Sequence, residues 1–295
     1  MNAKRADRIA TLGIYMLVGV VVAVLVFILG FVFIQGLPHL SWKFLTTVSQ
    51  SFMAGGGIRD QLFNSVYLLV LTLIISFPIA LGSGIYLSEY APKNWITNLI
   101  RTSIEVLSSL PSVVVGLFGY LLFVIRFGMG FSILSGAIAL TFFNLPLLTR
   151  SIEESLNSVS DLQREAGRSL GLSDWKTITG VVLPEALPGI VTGIILSGGR
   201  VFGEAAALIY TAGQSAPVLD YSNWNPLSTG SFLNPMRPAE TLAVHIWKLN
   251  TEGVTPDASA ISAGSSAVLI AVVLIFNLSA RIISHHLFRK ITATK

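Results

Sequence analysis

From Leu12 to Ile34 the chain carries no charged residue. A hydrocarbon core about 30 Å thick needs roughly 20 consecutive apolar residues in a helix, so this run of 23 is of spanning length. Five further segments pass the same measure: 62–87, 104–125, 131–148, 187–212 and 263–280. No lipid-facing backbone amide can stay unpaired in hydrocarbon, and none of the segments shows the alternation of a barrel strand, so all six are expected to be helices. Composition agrees with that expectation. Of 295 residues 53% are apolar and only 12% charged, about half the charge of an ordinary soluble domain. A single all-α polytopic membrane domain over residues 1–295 follows, in place of the roughly two soluble domains that the length alone would imply.

The first run is too long for the core of a signal peptide, usually about 7–15 residues, and no small-residue cleavage pattern follows it. It is expected to stay as an anchor. Positive residues then set the orientation. With both termini cytoplasmic, thirteen Lys and Arg flank the spans inside (Lys4, Arg5, Arg8, Lys93, Arg101, Arg150, Arg164, Arg168, Lys176, Arg281, Arg289, Lys290 and Lys295), against five outside. A net charge of +4 gives no overall cationic surface for nucleic acid, and the lack of cysteine excludes disulfides, thiol nucleophiles and cysteine-ligated metals. The four histidines show no metal-ligand spacing, and no metal site is expected.

Two long outer loops follow from this topology, 35–61 and 213–262. The second contains Glu240–Leu249, an amphipathic stretch suited either to packing among the loops or to lying on the membrane. The longest inner connection, 149–180, is punctuated for a helical hairpin. Ser160 and Gln163 form a capping-box pattern for a helix over 161–170, Gly171 suits the positive φ of a helix end, and Ser173 with Asp174 caps a second helix from Trp175. Pro184 is expected to kink or reset the chain as it reaches the membrane.

Within this connection Glu165, Ala166, Gly167, Gly171, Val181, Leu183 and Pro184 stand at the spacing E-A-A-x3-G-x9-I-x-L-P. This resembles the EAA motif of ABC importer permeases, with Gly167 for the second Ala and Val181 for Ile. The stretch Gly198–Gly213, with Thr241–Gly253 and Asn277–Ile282, is similar to phosphate-transport permeases of the PstA type, although Ala205–Ala207 replaces their usual Thr-Ala-Pro. The PstC type is less similar, since its Met after Gly-Glu-Thr is missing. The resemblance implies a type I importer (MetI-like) bundle of six transmembrane helices in a prokaryotic plasma (cell inner) membrane. It also implies PstB-like ATPase subunits docked on the 149–180 loop, a PstC-like second permease and a PstS-like phosphate-binding protein outside. The chain itself would carry no catalytic residue and no cofactor, ATP and Mg being bound by the ATPase, which accords with the absence of any G-x-x-x-x-G-K-[ST] stretch.

Two groups inside the membrane draw notice. Arg200 and Glu204 are four apart, on one face if the fifth span is a continuous helix, and ionisable groups at such depth cost roughly 2.5–3.5 kcal/mol each. They stand either on the path of an oxyanion, which an arginine fork suits, or as a tie between helices. Small residues recur at four-residue steps, Gly189, Gly193, Ser197 and Gly199, Gly203, Ala207. Such stripes serve close packing inside one bundle or contact with a second permease. Ser108, Ser109, Ser112, Thr141 and Asn144 could line a wet route or bond to nearby backbone. Other oxyanion permeases (phosphonate, molybdate, sulfate) share the coupling motif and remain the alternative. A secondary transporter would want interrupted helices in both halves, and an intramembrane hydrolase would want a His or Asp inside a span, where there is none.

Overall fold

The computed structural model describes residues 3–50, 53–215, 217–253 and 255–292. Lys295, one of the orientation cations, lies outside the described residues, as do the side chains of Lys4, Arg5, Arg289 and Lys290. The chain forms α1 (Ala3–Gly36), α2 (Trp42–Thr46), α3 (Arg59–Ile85), α4 (Trp95–Ser108), α5 (Ser112–Gly119) and α6 (Ile133–Asn157). These are followed by α7 (Asp161–Ser169), α8 (Asp174–Thr177), α9 (Leu183–Gly203), α10 (Ala206–Thr211), α11 (Leu242–Glu252) and α12 (Ala258–Thr292). Wider π-helical turns extend α3 through Tyr90, extend α5 through Arg126, and join α8 to α9. The one strand-like pairing among the described residues is an isolated bridge between Asp220 and Ser231.

Five continuous helical runs are long and apolar enough to cross a membrane, and a bent pair of helices makes six where it counts as one span. The span expected over 104–125 is not one helix. Trp95–Ser108 and Ser112–Arg126 meet at 96°. Pro111 explains the break: it has no N–H to donate and it drives Leu110 away from helical ψ. The chain before it closes with tight bonds from Ser109 N–H to Val106 O (3.1 Å) and Leu110 N–H to Leu107 O (3.3 Å). The hydroxyls of Ser108 and Ser109 are also spent locally, on Glu105 O and Val106 O.

The fifth span differs from 187–212 at both ends. It starts at Asp174, and Pro184 lies inside an unbroken run to Gly203. The π turn before the proline lets Leu183 N–H reach Ile178 O, five residues back, so the wider turn takes up the missing donor and the helical run continues. At the other end the helix stops at Gly203, and Glu204 is extended (φ −76°, ψ 124°). The Glu204 carboxylate then accepts from Ala207 N–H at 3.1 Å and caps α10. The fourth span runs nine residues past its expected end and takes the start of the 149–180 loop with it.

Packing is organised around α3 and α6, with α9 against α6 and α12 against α9. A central core joins Leu68, Leu140, Phe143, Phe202 and Leu208, and a second joins Ala80, Leu148, Ile152, Leu156, Val182 and Ile190 nearer α7. The opposite end is held by Ile58, Leu242 and Val268, and α11 packs there against α12 and α3 with Leu242 to His245 buried. Its stretch is therefore a packed loop helix. Asn64 donates to Glu240 O (3.0 Å), Arg237 donates to Asn64 Oδ1 (2.7 Å), and the Tyr221 hydroxyl donates to Asp60 (2.8 Å), which ties the 213–257 segment to the start of α3. By contrast α1 touches the bundle mainly at Gly36, where an added Cβ would come within 2.5 Å of Ala267 Cβ. Its spanning stretch is otherwise exposed.

Candidate functional site

The 149–180 connection folds as its local signals require. Ser160 caps α7, its hydroxyl accepting from Leu162 N–H at 3.3 Å, while Gln163 does not return the capping-box bond. Gly171 sits at φ +78°, and Leu172 N–H closes on Gly167 O at 3.2 Å, which ends α7 in a left-handed turn. Ser173 caps α8. The motif's second-alanine position is Gly167, and the reason is steric: a Cβ there would lie 2.8 Å from Thr177 Cγ2. Across the turn Arg168 and Asp174 pair at 3.0 Å. Glu165 and Ala166 face outward with Leu162, Leu170 (81% exposed) and Trp175, whereas Leu183 packs into the second core. An exposed knob results, on which Leu162, Leu170 and Trp175 stand beside the acids Asp161, Glu165 and Asp174.

What seats this knob was missed in the sequence. Arg164, inside α7, donates to both oxygens of Glu89 (2.8 and 3.2 Å), to Leu156 O (2.8 Å), to Val159 O and to Asp161. The pair is buried, with 13% and 8% of the two side chains exposed. The hydrogen bond to Glu89 holds the Arg164 guanidinium above its ordinary range. One arginine thus fastens α7 to the ends of both α3 and α6. Beside it, Arg101 pairs with Glu153 (2.7 Å), and Arg150 with Glu105 and Glu154 (2.9 Å each). Glu105 thus lies at this end of the bundle. No local pattern marks Glu89, because its partner is 75 residues away.

Deeper in the membrane, the expected Arg200–Glu204 pair does not form. The helix ends between them, and none of the ion pairs among the described residues includes Arg200. Instead the Arg200 guanidinium carbon stands 3.6 Å above the centre of the Phe143 ring, on α6. A cation over an aromatic face is attracted by the ring quadrupole. Nearby, Asn144 and Ser197 hydrogen-bond to each other and join α6 to α9, while the Thr141 hydroxyl is spent on Ala137 O.

The two small-residue series separate. Gly189 and Gly193 lie against Ser155 and Ser151 of α6, so the first series serves packing inside this chain. The second is not a stripe, because Ala207 belongs to α10, where it packs on Gly116. Gly199 has only Val273 at 3.9 Å, and Gly203 has nothing within 4 Å.

Residues 76–293 match the family of binding-protein-dependent transport system inner membrane components. The chain belongs to that family. This binding-protein-dependent permease is 51% identical over 293 residues (99% of the chain, 100% of the relative) to the probable ABC transporter permease YqgI of Bacillus subtilis. It is 32% identical over 241 residues to the phosphate transport system permease PstA 2 of Mycobacterium tuberculosis, covering 82% and 74% of the two chains. To PstA of Xylella fastidiosa it is 38% identical over 178 residues, covering 60% and 62%. The permease also superposes on a bacterial alginate ABC transporter solved with its periplasmic protein (TM-score 0.65, 14% identity, 98% and 99% covered). It superposes likewise on the methionine transporter MetNI (TM-score 0.56, 18% identity, 76% and 94% covered). At such identities the superpositions establish the fold alone, the type I, MetI-like architecture; the family match makes the chain a membrane-embedded ABC importer permease.

Proposed function

We propose that this permease imports inorganic phosphate as the PstA-type subunit of its complex, with both termini and the α7–α8 knob cytoplasmic. The observation that carries the reading is Arg200. It is a half-buried guanidinium in the middle of the bundle that enters none of the ion pairs among the described residues, and a planar fork of N–H donors suits the oxygens of a tetrahedral anion. The PstA relatives in two organisms support the substrate class. Exposed Leu162, Leu170 and Trp175, with Glu165 and Ala166, give an ATPase subunit its seat. A second permease, a PstC-like chain, completes the pathway, and an extracytoplasmic PstS-like protein delivers the anion.

In this mechanism the chain's own residues couple and bind, and catalysis resides in the ATPase, which alone holds ATP and Mg. Closure of the ATPases draws the paired knobs together. The unbroken helix from Asp174 to Gly203 carries that movement from the knob to Arg200, and Arg164 carries it to α3 and α6. Glu204, capping α10, sets the break at which the moving helix ends. Two measurements test the reading in the purified complex reconstituted in vesicles. Arg200→Gln should lower phosphate uptake by about two orders of magnitude, the scale of losing one preorganised donor to an anion. Wild-type uptake by an assembled Arg200→Gln complex would remove the pathway role. ATPase stimulation should follow phosphate, and stimulation by molybdate, sulfate or phosphonate in its place would reassign the oxyanion.

A further inference from the structure

Phe143 is 4% exposed, lies in the central core, and presents its ring face to Arg200 at 3.6 Å. We propose that Phe143 is a positioning residue for anion passage: its face holds the Arg200 guanidinium without consuming the donors that the anion needs. The inference rests on the phosphate-import reading above.

An arginine in a low-dielectric bundle has two ways to be stabilised. A carboxylate offsets its charge and takes one edge of its N–H fork, which leaves less charge and fewer donors for a ligand. An aromatic face attracts the cation from above and leaves the in-plane N–H groups pointing past the ring. This chain takes the second way, and its local construction keeps the first closed. Glu204, the nearest acid in sequence, has left the helix at ψ 124° and spends Oε1 on Ala207 N–H. No hydrogen bond among the described residues draws on the Arg200 side chain, in contrast to Arg164 and Arg237, whose donors are spent on acceptors of this chain. Phe143 is itself fixed, since Leu140, Val201 and Phe202 share its core and Asn144, the next residue, is bonded to Ser197 on α9. The ring is therefore a rigid platform on α6, and the cation it carries comes from α9.

The test uses the full complex in vesicles, with inorganic phosphate delivered by its saturated binding protein. The readout is phosphate imported per ATP hydrolysed. Replacing the Phe143 ring by progressively more fluorinated phenylalanines drains the quadrupole at nearly constant shape. Import per ATP should fall stepwise along that series, reaching about tenfold for Phe143→Leu, the scale of a lost desolvated cation–π contact. Phe143→Tyr, which keeps the face, should stay within about twofold. A flat fluorination series, or a Tyr variant as impaired as Leu in assembled complexes, would overturn the proposal, because a purely packing role responds to shape and not to the quadrupole. The two readings fail separately. Arg200→Gln with normal uptake defeats the phosphate pathway, whereas a dead Arg200→Gln with a flat fluorination series defeats only the role of Phe143.

Discussion

Arg164 and Arg200 are both largely withdrawn from solvent, yet they are held in opposite manners. Arg164, at the knob, donates to the carboxylates of Glu89 and Asp161 and to the carbonyls of Leu156 and Val159. Arg200, in mid-bundle, rests on the face of Phe143. A cation with its donors spent is a fastener: it fixes three chain segments in one geometry and has nothing left to offer. A cation held by an aromatic ring keeps both charge and donors. On the function proposed above, the contrast separates a part of the permease that transmits force from a part that grips and releases the anion.

The largest expected effect tests whether the two cations differ as described. Arg164→Met leaves the buried Glu89 carboxylate without a cation, with only the Ser88 hydroxyl to donate to it, and should cost about 3–5 kcal/mol of stability. Arg200→Gln removes a charge that is costly to insert and should change stability by less than about 1 kcal/mol. Thermal unfolding of the detergent-solubilised complex checks both, and equal losses would erase the distinction. Adding Glu89→Gln to Arg164→Met should restore part of the loss, because the stranded charge is gone.

A smaller effect compares two glycines of α9, one near each region. Gly193 lies on Ser151 of α6, so Gly193→Leu overpacks the seam and should cost about 1–3 kcal/mol. Gly203, with nothing within 4 Å, should accept Ala with a change in unfolding temperature close to the measurement error. A destabilised Gly203→Ala would place packed atoms where this chain has none.

The smallest effect lies at the far end, where charge is again spent on structure. Burial, and then the hydrogen bond to Asp60, push the Tyr221 hydroxyl from 10.0 up to about 12. A raised value favours the protonated form in the folded chain. Its contribution to stability is complete below about pH 10 and is lost as the pH climbs towards about 12. Tyr221→Phe should flatten this alkaline decline in a pH series of unfolding temperatures, and an unchanged decline would show that Tyr221 is not its source.

Much of this architecture was legible in the residues alone because its causes are local. Uncharged runs such as Leu12–Ile34 must be helices in hydrocarbon whatever surrounds them. The knob likewise depends on short-range signals: Ser160, Gly171 and Ser173 act on backbone groups no more than five residues away. Pro111 is visible in the residues too, but a proline in an apolar run can kink, be absorbed by or break the helix, and the local sequence does not choose among these. Pro184 shows the absorbed outcome and Pro111 the broken one.

The spacing of Arg200 and Glu204 shows the limit of such reading. Four residues apart, they share a face only if the helix continues, and continuation was decided by α10 and by the packing of Ala207 on Gly116, neither of which is marked in the span itself. Thus the sequence by itself determined that this protein is a polytopic helical membrane chain with a helical hairpin between its fourth and fifth spans, because bilayer thickness and backbone capping act over short stretches of chain. Only the tertiary structure decided what holds each buried arginine, Glu89 for one and Phe143 for the other. Those partners lie 75 and 57 residues distant along the chain, and they meet only once α3, α6, α7 and α9 have packed.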